Sequence, residues 1–442
     1  MVLLSVLFGI IQFGLIIYIL YKEVERKSPA MFLWATLFLM FGFPHLITVI
    51  LSDIEYKEST ILKASIFVTV FCVLYLIVRH KKKIDFIDLS GKKGFRIDND
   101  EITYSVFETL CFVFLIVSAI ATLIGSIKAQ GGIMNTSWAS GIAIERGYVN
   151  YQALLSRLIY MVSGLSLYYF LTNRKDKAAV VLLIQLLMVI ISRNRVQTLP
   201  IFIFFITLYL LKMRRILLKH IVFGVFVAAS AIYILYAIRA FRWLGSLSDA
   251  ISNVSFEYIN SMVIRFIKDK SGEMGLRQWF YFFIENNNDF EGFNRGYSYI
   301  RMLMVYIPSR FSLGLKPSSF DIYMGEAIGM ETGSSMHPTL FGDCFANLNW
   351  LGVLLGVFWA AFANVFDNMI SKKKNSFHKI LIFFMISYSY VVIGRGSVYN
   401  GFEGTAWGVL ILYLMDISLY RFKEAKVKWR FMGKFPASNS EK

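Results

Sequence analysis

Cysteine is nearly absent. The chain has 3 in 442 residues (Cys72, Cys111 and Cys344), and no CxxC spacing. This excludes a disulfide framework and a zinc site. Internal repeats and low-complexity stretches are also missing. The apolar runs lack the two-residue alternation of barrel strands, so a transmembrane barrel is excluded as well. Charged residues make up only 17% of the chain, against 57% hydrophobic and 17% aromatic residues, with a mean hydropathy of +0.57. That is too apolar for a soluble chain with one or two cores.

What is present is a series of apolar runs at roughly 2–21, 30–51, 60–78, 104–127, 153–172, 178–192, 198–211, 221–238, 346–366, 380–394 and 405–420. Each is long enough, or nearly so, to cross a hydrocarbon core of ~30 Å as a helix, and only helices or closed barrels can do so. The expected fold is therefore all-α, a polytopic membrane protein with about eleven transmembrane helices. Its expected parts are eight helices in 1–238, a large outer loop in 239–345, and three helices with a basic tail in 346–442. The first run lacks a basic leader and a small-residue cleavage site, so it is expected to be retained.

The net charge of +17 invites a nucleic-acid reading, but the distribution argues against it. Lys and Arg crowd into alternate connections ("YKEVERKS", "RHKKK", "NRKDK", "KMRRILLKH", "SKKKNSFHK" and the C-terminal tail). That is the positive-inside pattern. It puts the N-terminus outside and the C-terminus in the cytoplasm, and needs no nucleic acid. In the large outer loop, Ile251, Val254, Tyr258, Ile259, Met262, Val263 and Phe266 recur at helical spacing, which predicts an amphipathic helix lying on the membrane or capping a cavity.

The outer basic residues are mostly arginine: Arg146, Arg157, Arg193, Arg195, Arg239, Arg242, Arg265, Arg277, Arg295, Arg301, Arg310 and Arg395. A planar guanidinium grips phosphate or carboxylate at two points, so an anionic substrate at the outer face is one reading. Headgroup binding and surface ion pairs are the other. From Lys177 to Arg193 a helix climbs ~24 Å, short of a ~30 Å core. Arg193, with Arg195 beside it, is thus expected in a crevice below the surface or snorkelling to it, and Lys379 to Arg395 follows the same arithmetic. Arg239 and Arg242 share one helix face as interface anchors or as the lip of the same site.

The end of the large loop reads "IPSRFSLGLKPSSFDIYMGEAIGMETGSSMHPTLFGDCFANLNWLG". Ile307-Pro308, Lys316-Pro317, Thr332-Gly333, His337-Pro338, Gly342-Asp343 and Asn347 to Gly352, with "SRNR" and the late "GRGS", resemble the Wzy-type O-antigen polymerases, the oligosaccharide repeat-unit polymerases. The resemblance runs over roughly residues 190–400; Asn349 stands where that family usually has glycine. It implies a GT-C-type glycosyltransferase in the bacterial inner membrane. The growing glycan on undecaprenyl pyrophosphate would move to the non-reducing end of a new lipid-linked repeat unit. A chain-length regulator and a repeat-unit flippase are the implied partners. An O-antigen ligase-like transferase and a transporter or flippase are the rival readings.

The residues suit such chemistry. A pyrophosphate leaving group needs positive charge, which Arg193, Arg195, Arg239, Arg242, Arg310, Lys316 and Arg395 offer without a metal or cofactor. Asp98-Asn99-Asp100 falls in a cytoplasmic loop and reads as solvated charge. His337, the one histidine expected in an outer loop, is a candidate base for the acceptor hydroxyl, or a turn residue held by Pro338. Asp343, Glu326 and Glu331 compete with it; Asp343 also suits a helix N-cap.

Overall fold

The computed structural model describes residues 2–51, 56–79, 101–128, 161–192, 195–212, 218–242, 244–268, 275–329, 336–372 and 376–432. Among them the chain is helical and contains no strand. The N-terminal half holds α1 Val2–Arg26, α2 Ala30–Leu37, α3 Phe43–Leu51, α4 Glu58–Val78, α5 Glu101–Lys128, α6 Leu165–Leu171, α7 Lys175–Ser192, α8 Leu199–Lys212 and α9 Leu218–Arg242. The loop region holds α10 Leu247–Asn253, α11 Phe256–Lys268, α12 Leu276–Glu285, α13 Ser298–Leu303 and α14 Phe320–Ala327. The chain ends with α15 Thr339–Leu348, α16 Leu355–Lys372, α17 Ser376–Gly394 and α18 Val398–Met432.

Among the described residues five segments are long and apolar enough to cross a membrane: Leu3–Arg26, Ala30–Ile50, Glu58–Val78, Thr339–Lys372 and Ser376–Gly394. Three of their threonine hydroxyls turn back onto their own helices. Thr36 bonds the Phe32 carbonyl at 2.8 Å, Thr48 that of Pro44 at 3.0 Å and Thr69 that of Ser65 at 2.7 Å. Such back-bonds hide polar groups where no water is present. Between α2 and α3 the helix widens to a π-turn over Phe38–Gly42. Pro44 accounts for it, because its ring would collide with the carbonyl four residues earlier in a regular α-helix.

The apolar run expected as a single span at 346–366 is a folded hairpin. Phe341 packs on Phe71 with ring centres 5.2 Å apart, and Phe345 on Phe67 at 5.5 Å. α15 therefore runs antiparallel to α4, from its middle toward its N-terminal end. Asn349 then reverses the chain at φ 52°, ψ −137°, in backbone space that suits glycine. The 3-10 turn Asn349–Leu354 doubles back so tightly that a Cβ on Gly352 would lie 2.3 Å from the Cys344 carbonyl. α16 starts opposite Phe71 and descends to the C-terminal end of α4, where the Asn364 amide donates to the Val78 carbonyl at 3.0 Å.

At that end one buried polar cluster ties α1, α4 and α16 together. Arg79 donates to Glu23 through Nε at 2.8 Å and Nη2 at 2.7 Å, to Asn364 at 2.6 Å, and to Asp367 and Ser28. Arg26 adds a second bond to Glu23 at 3.1 Å. Two cations thus meet two carboxylates.

The expected amphipathic helix is present but broken. α10 ends at Asn253, and Ser255 starts α11 by accepting a bond from the Tyr258 amide at 3.1 Å. Only the α11 part packs, through Val263 with Ile259 and Met262, on Tyr236 and Ala240 of α9; Ile251 and Val254 stay exposed. The aromatic run 279–284 lies in the largely buried helix α12. Phe280 contacts Phe41, Phe67 and Phe345. Arg277, 5% exposed, bonds Thr48 at 3.1 Å. Tyr281 meets His45 Nδ1 at 2.5 Å, and His45 Nε2 meets Ser65 at 2.7 Å.

Replacing Asn349 by glycine relieves a strained backbone at the loss of one exposed bond to Asn287. Asn349→Gly is expected to stabilise the protein by about 1 kcal/mol, and Asn349→Val to destabilise it. Thermal unfolding of the purified chain in detergent checks both; a glycine variant less stable than the parent would contradict the reading.

Candidate functional site

Two chain reversals meet inside the bundle. One is the segment before α15, where His337 is 8% exposed and Thr339 fully buried. The other is the turn between α17 and α18, Arg395 to Ser397. The Thr339 amide donates to the Arg395 carbonyl at 3.1 Å. Thr339 adopts φ 64°, which is rare for a β-branched residue and marks strain of the kind that collects at functional sites. Opposite it, Gly396 adopts φ +102°, and a Cβ there would sit 2.6 Å from the Thr339 nitrogen. The segment is anchored on its other side by the Met336 amide, which donates to the Asp321 carbonyl on α14 at 3.1 Å.

The turn is recessed. A Cβ on Gly394 would lie 3.0 Å from the Thr36 side chain. From Thr36 to Leu51 the α2–α3 helix continues for about 22 Å beyond that level. Arg395, partly buried, therefore starts from a point well below the far end of its neighbours.

At the start of α18, Tyr399 organises two cations. The Arg301 guanidinium lies 4.3 Å from its ring centre and the Lys316 ammonium 5.5 Å. Each is steered by a carbonyl: Arg301 Nη1 donates to Pro317, and Lys316 to Ile307 at 2.7 Å. The Arg301 Nε is shielded from solvent and has no hydrogen-bond partner among the described residues. The Tyr399 hydroxyl donates to Glu403 at 3.3 Å. Cation–π contacts are worth about 0.5–2 kcal/mol each, and unlike an ion pair they leave the cation's charge uncancelled. Around Tyr399 the two cations, Arg301 and Lys316, thus outnumber the one carboxylate, Glu403, among the described contacts.

Asp343 is fully buried in the second turn of α15, too far along the helix to be its N-cap. Its carboxylate accepts from Ser298 at 2.9 Å and from the Asn347 amide at 3.2 Å, while Asn347 Oδ1 accepts from the Ser298 backbone at 2.6 Å. Asp343 thus clamps α13 to α15 and sets the position of Arg301, one turn from Ser298. Beside it the Tyr299 phenol accepts from Trp359 at 3.2 Å. Burial pushes that phenol well above its ordinary pKa, so it stays neutral.

Among the other expected site residues, Glu326 is exposed at the end of α14 and joins no contact of this cluster. Arg239 is partly buried near the end of α9. Arg193, Glu331 and Asp98 to Asp100 lie outside the described residues, as do the side chains of Arg195, Arg242 and Arg310. The structure thus places Lys316 with Arg301 on Tyr399, whose hydroxyl meets Glu403, and joins the His337 segment to the Arg395 turn through the Thr339 backbone. Arg301 was visible as an outer arginine. Tyr399 and Glu403 carried no motif, beyond standing one helical turn apart after "GRGS". A second cleft, near the Phe377 end of α17, is lined by Glu108, Tyr169, Asp176 and Lys177. There Glu108 already holds Arg174 at 2.6 Å and Lys177 at 3.6 Å, so its cations are neutralised.

Comparison of the chain with protein-family models, with curated proteins and with solved structures found no match.

Gly396→Ala is expected to force the two reversals apart at a strain of about 1–3 kcal/mol, with faster chemical modification of His337 in the variant. Asp343→Ala removes the acceptor of two buried donors and should cost about 2–4 kcal/mol, whereas Asp343→Asn keeps a bond from Ser298 and should cost less. Thermal melts and histidine modification rates check both expectations; equal melts for the three chains would refute the clamp.

Proposed function

We propose that this chain is an eleven-span, GT-C-type glycosyltransferase that polymerises undecaprenyl-pyrophosphate-linked oligosaccharide units at the outer face of the bacterial inner membrane. The growing glycan is transferred from its lipid pyrophosphate to the non-reducing-end hydroxyl of a new lipid-linked unit. The observation that carries the reading is the bond from the Thr339 amide to the Arg395 carbonyl, which holds the His337 segment against the turn that leads to Tyr399 and its two cations. An acceptor-activating base beside a positively charged recess is what displacement of a pyrophosphate needs.

In this reading the acceptor oxygen attacks the anomeric carbon and its proton passes to the neutral imidazole of His337. The bond from that carbon to the pyrophosphate oxygen breaks, and the electron pair leaves with the lipid pyrophosphate. Arg395, Arg301 and Lys316 stabilise the charge that develops there. Asp343 positions α13 and thereby Arg301. The orientation is supported by the Lys-rich connections at the far end of the bundle, which belong in the cytoplasm by the positive-inside rule.

The test begins with the surface polysaccharide of a strain lacking the gene, separated on a gel. A single repeat unit on the lipid core is expected in place of the ladder. Long chains that stay on the carrier lipid would instead identify a ligase. In the complemented strain, Arg395→Ala and His337→Ala should each reduce elongation by about 10²–10³-fold with normal protein levels. Arg395→Lys should not restore it, because the fork is lost. A full-length ladder from either alanine variant would remove that residue from the mechanism.

A further inference from the structure

The segment between Arg301 and Lys316 leaves the cation cluster and returns to it. On the way down it runs beside α18: Arg301 packs on Tyr399, and Tyr306 donates to the Ala406 carbonyl at 2.9 Å with its ring against Trp407 at 5.4 Å. Tyr399 to Ala406 is about 10 Å of helix. The hairpin therefore hangs below the cations on the flank of an apolar helix.

Four of its apolar side chains face outward: Leu303 is 87% exposed, Phe311 71%, Leu313 91% and Leu315 68%, whereas Met302 and Val305 are buried. Part of its backbone is paired internally. The carbonyls of Met304, Pro308, Ser309 and Ser312 accept from within the hairpin, and that of Ile307 accepts from the Lys316 ammonium. A non-helical segment tolerates a hydrocarbon environment only when its polar backbone groups are satisfied in this way. In water the same patch would be an aggregation hazard.

We propose that this hairpin is the docking surface for the hydrocarbon chain of a prenyl pyrophosphate, whose headgroup rests on Arg301 and Lys316. The argument is one of polarity and charge. The site has two cations on Tyr399 and four exposed apolar side chains in the segment that joins them, a pairing that suits the head and tail of an outer-leaflet lipid. A diphosphate head carries more charge for those cations than a common phospholipid head. The inference rests on the polymerase reading for the identity of the lipid, and adds where its chain lies.

The experiment places a photoreactive benzophenone side chain at Leu313 in the full-length protein, reconstituted in phosphatidylethanolamine–phosphatidylglycerol nanodiscs doped with undecaprenyl pyrophosphate. Irradiation should give a saturable adduct with undecaprenyl pyrophosphate. The yield should fall about tenfold or more in the Arg301→Ala/Lys316→Ala double variant, as expected for the loss of headgroup binding. A benzophenone at Leu183 on α7, also exposed, should capture only bulk phospholipid. Adducts at Leu313 confined to bulk phospholipid would overturn the proposal and make the hairpin a bilayer anchor. An unchanged yield in the double variant, or no lipid adduct at all, would also overturn it. No acceptor or turnover is involved, so the two readings can fail separately. Capture by a chain that makes no polymer sinks the polymerase alone; polymer from a chain that captures nothing sinks the docking surface alone.

Discussion

A single backbone hydrogen bond, from the Thr339 amide to the Arg395 carbonyl, is the constraint on which the rest of the site depends. Reversing a chain inside an apolar bundle exposes amides and carbonyls where no water can reach them, at several kcal/mol for each group left unpaired. Here two reversals are set tip to tip and supply each other's partner. The geometry is demanding: Thr339 must hold a left-handed backbone, and residue 396 must lack a Cβ. Once it is met, α15 leaves one tip and α18 the other.

The opposite end of the bundle fixes the register that makes this meeting possible. Arg79 is bonded to Glu23 of α1 and to Asn364 and Asp367 of α16. Breaking one partner of a buried pair leaves an uncompensated charge and costs about 3–5 kcal/mol, so α1, α4 and α16 cannot slide past one another. With α16 pinned below and Gly356 seated against the Phe71 carbonyl, the position of α15 above is determined. The aromatic contacts of Phe341 and Phe345 with α4 follow from that register. Between helices in lipid it is such close packing, not water exclusion, that holds the assembly.

Much of the helical class was legible in the sequence, because apolar length is a local signal. The folded hairpin was not. The run 346–366 has the hydropathy of a span, and the reversal hangs on Asn349, whose glycine-like backbone no composition scale registers. Arg79 reads in the sequence as one more cytoplasmic basic residue. Only the fold reveals Glu23 and Asp367 beside it. The site was half legible. His337, Arg395 and Lys316 stood out by motif, whereas Tyr399 and Glu403 sit in an ordinary helical turn and gain their meaning from Arg301, 98 positions earlier in the sequence. Asp343 was visible as a conspicuous carboxylate, but its two donors were not, and they make it a clamp.

The contrast between Arg79 and Arg301 shows how the same side chain serves opposite ends. Arg79 is surrounded by two carboxylates with Arg26 sharing one of them, so its charge is cancelled and what remains is a rigid joint. Arg301 and Lys316 are held by a ring face and by two carbonyl oxygens. Those partners fix position through dipoles and a quadrupole without supplying a countercharge. A cation held in this way is ordered without a protein countercharge among the described contacts. In the proposed reading the pyrophosphate supplies that countercharge, which is why a ring face and two carbonyls suit this end of the bundle and carboxylates suit the other.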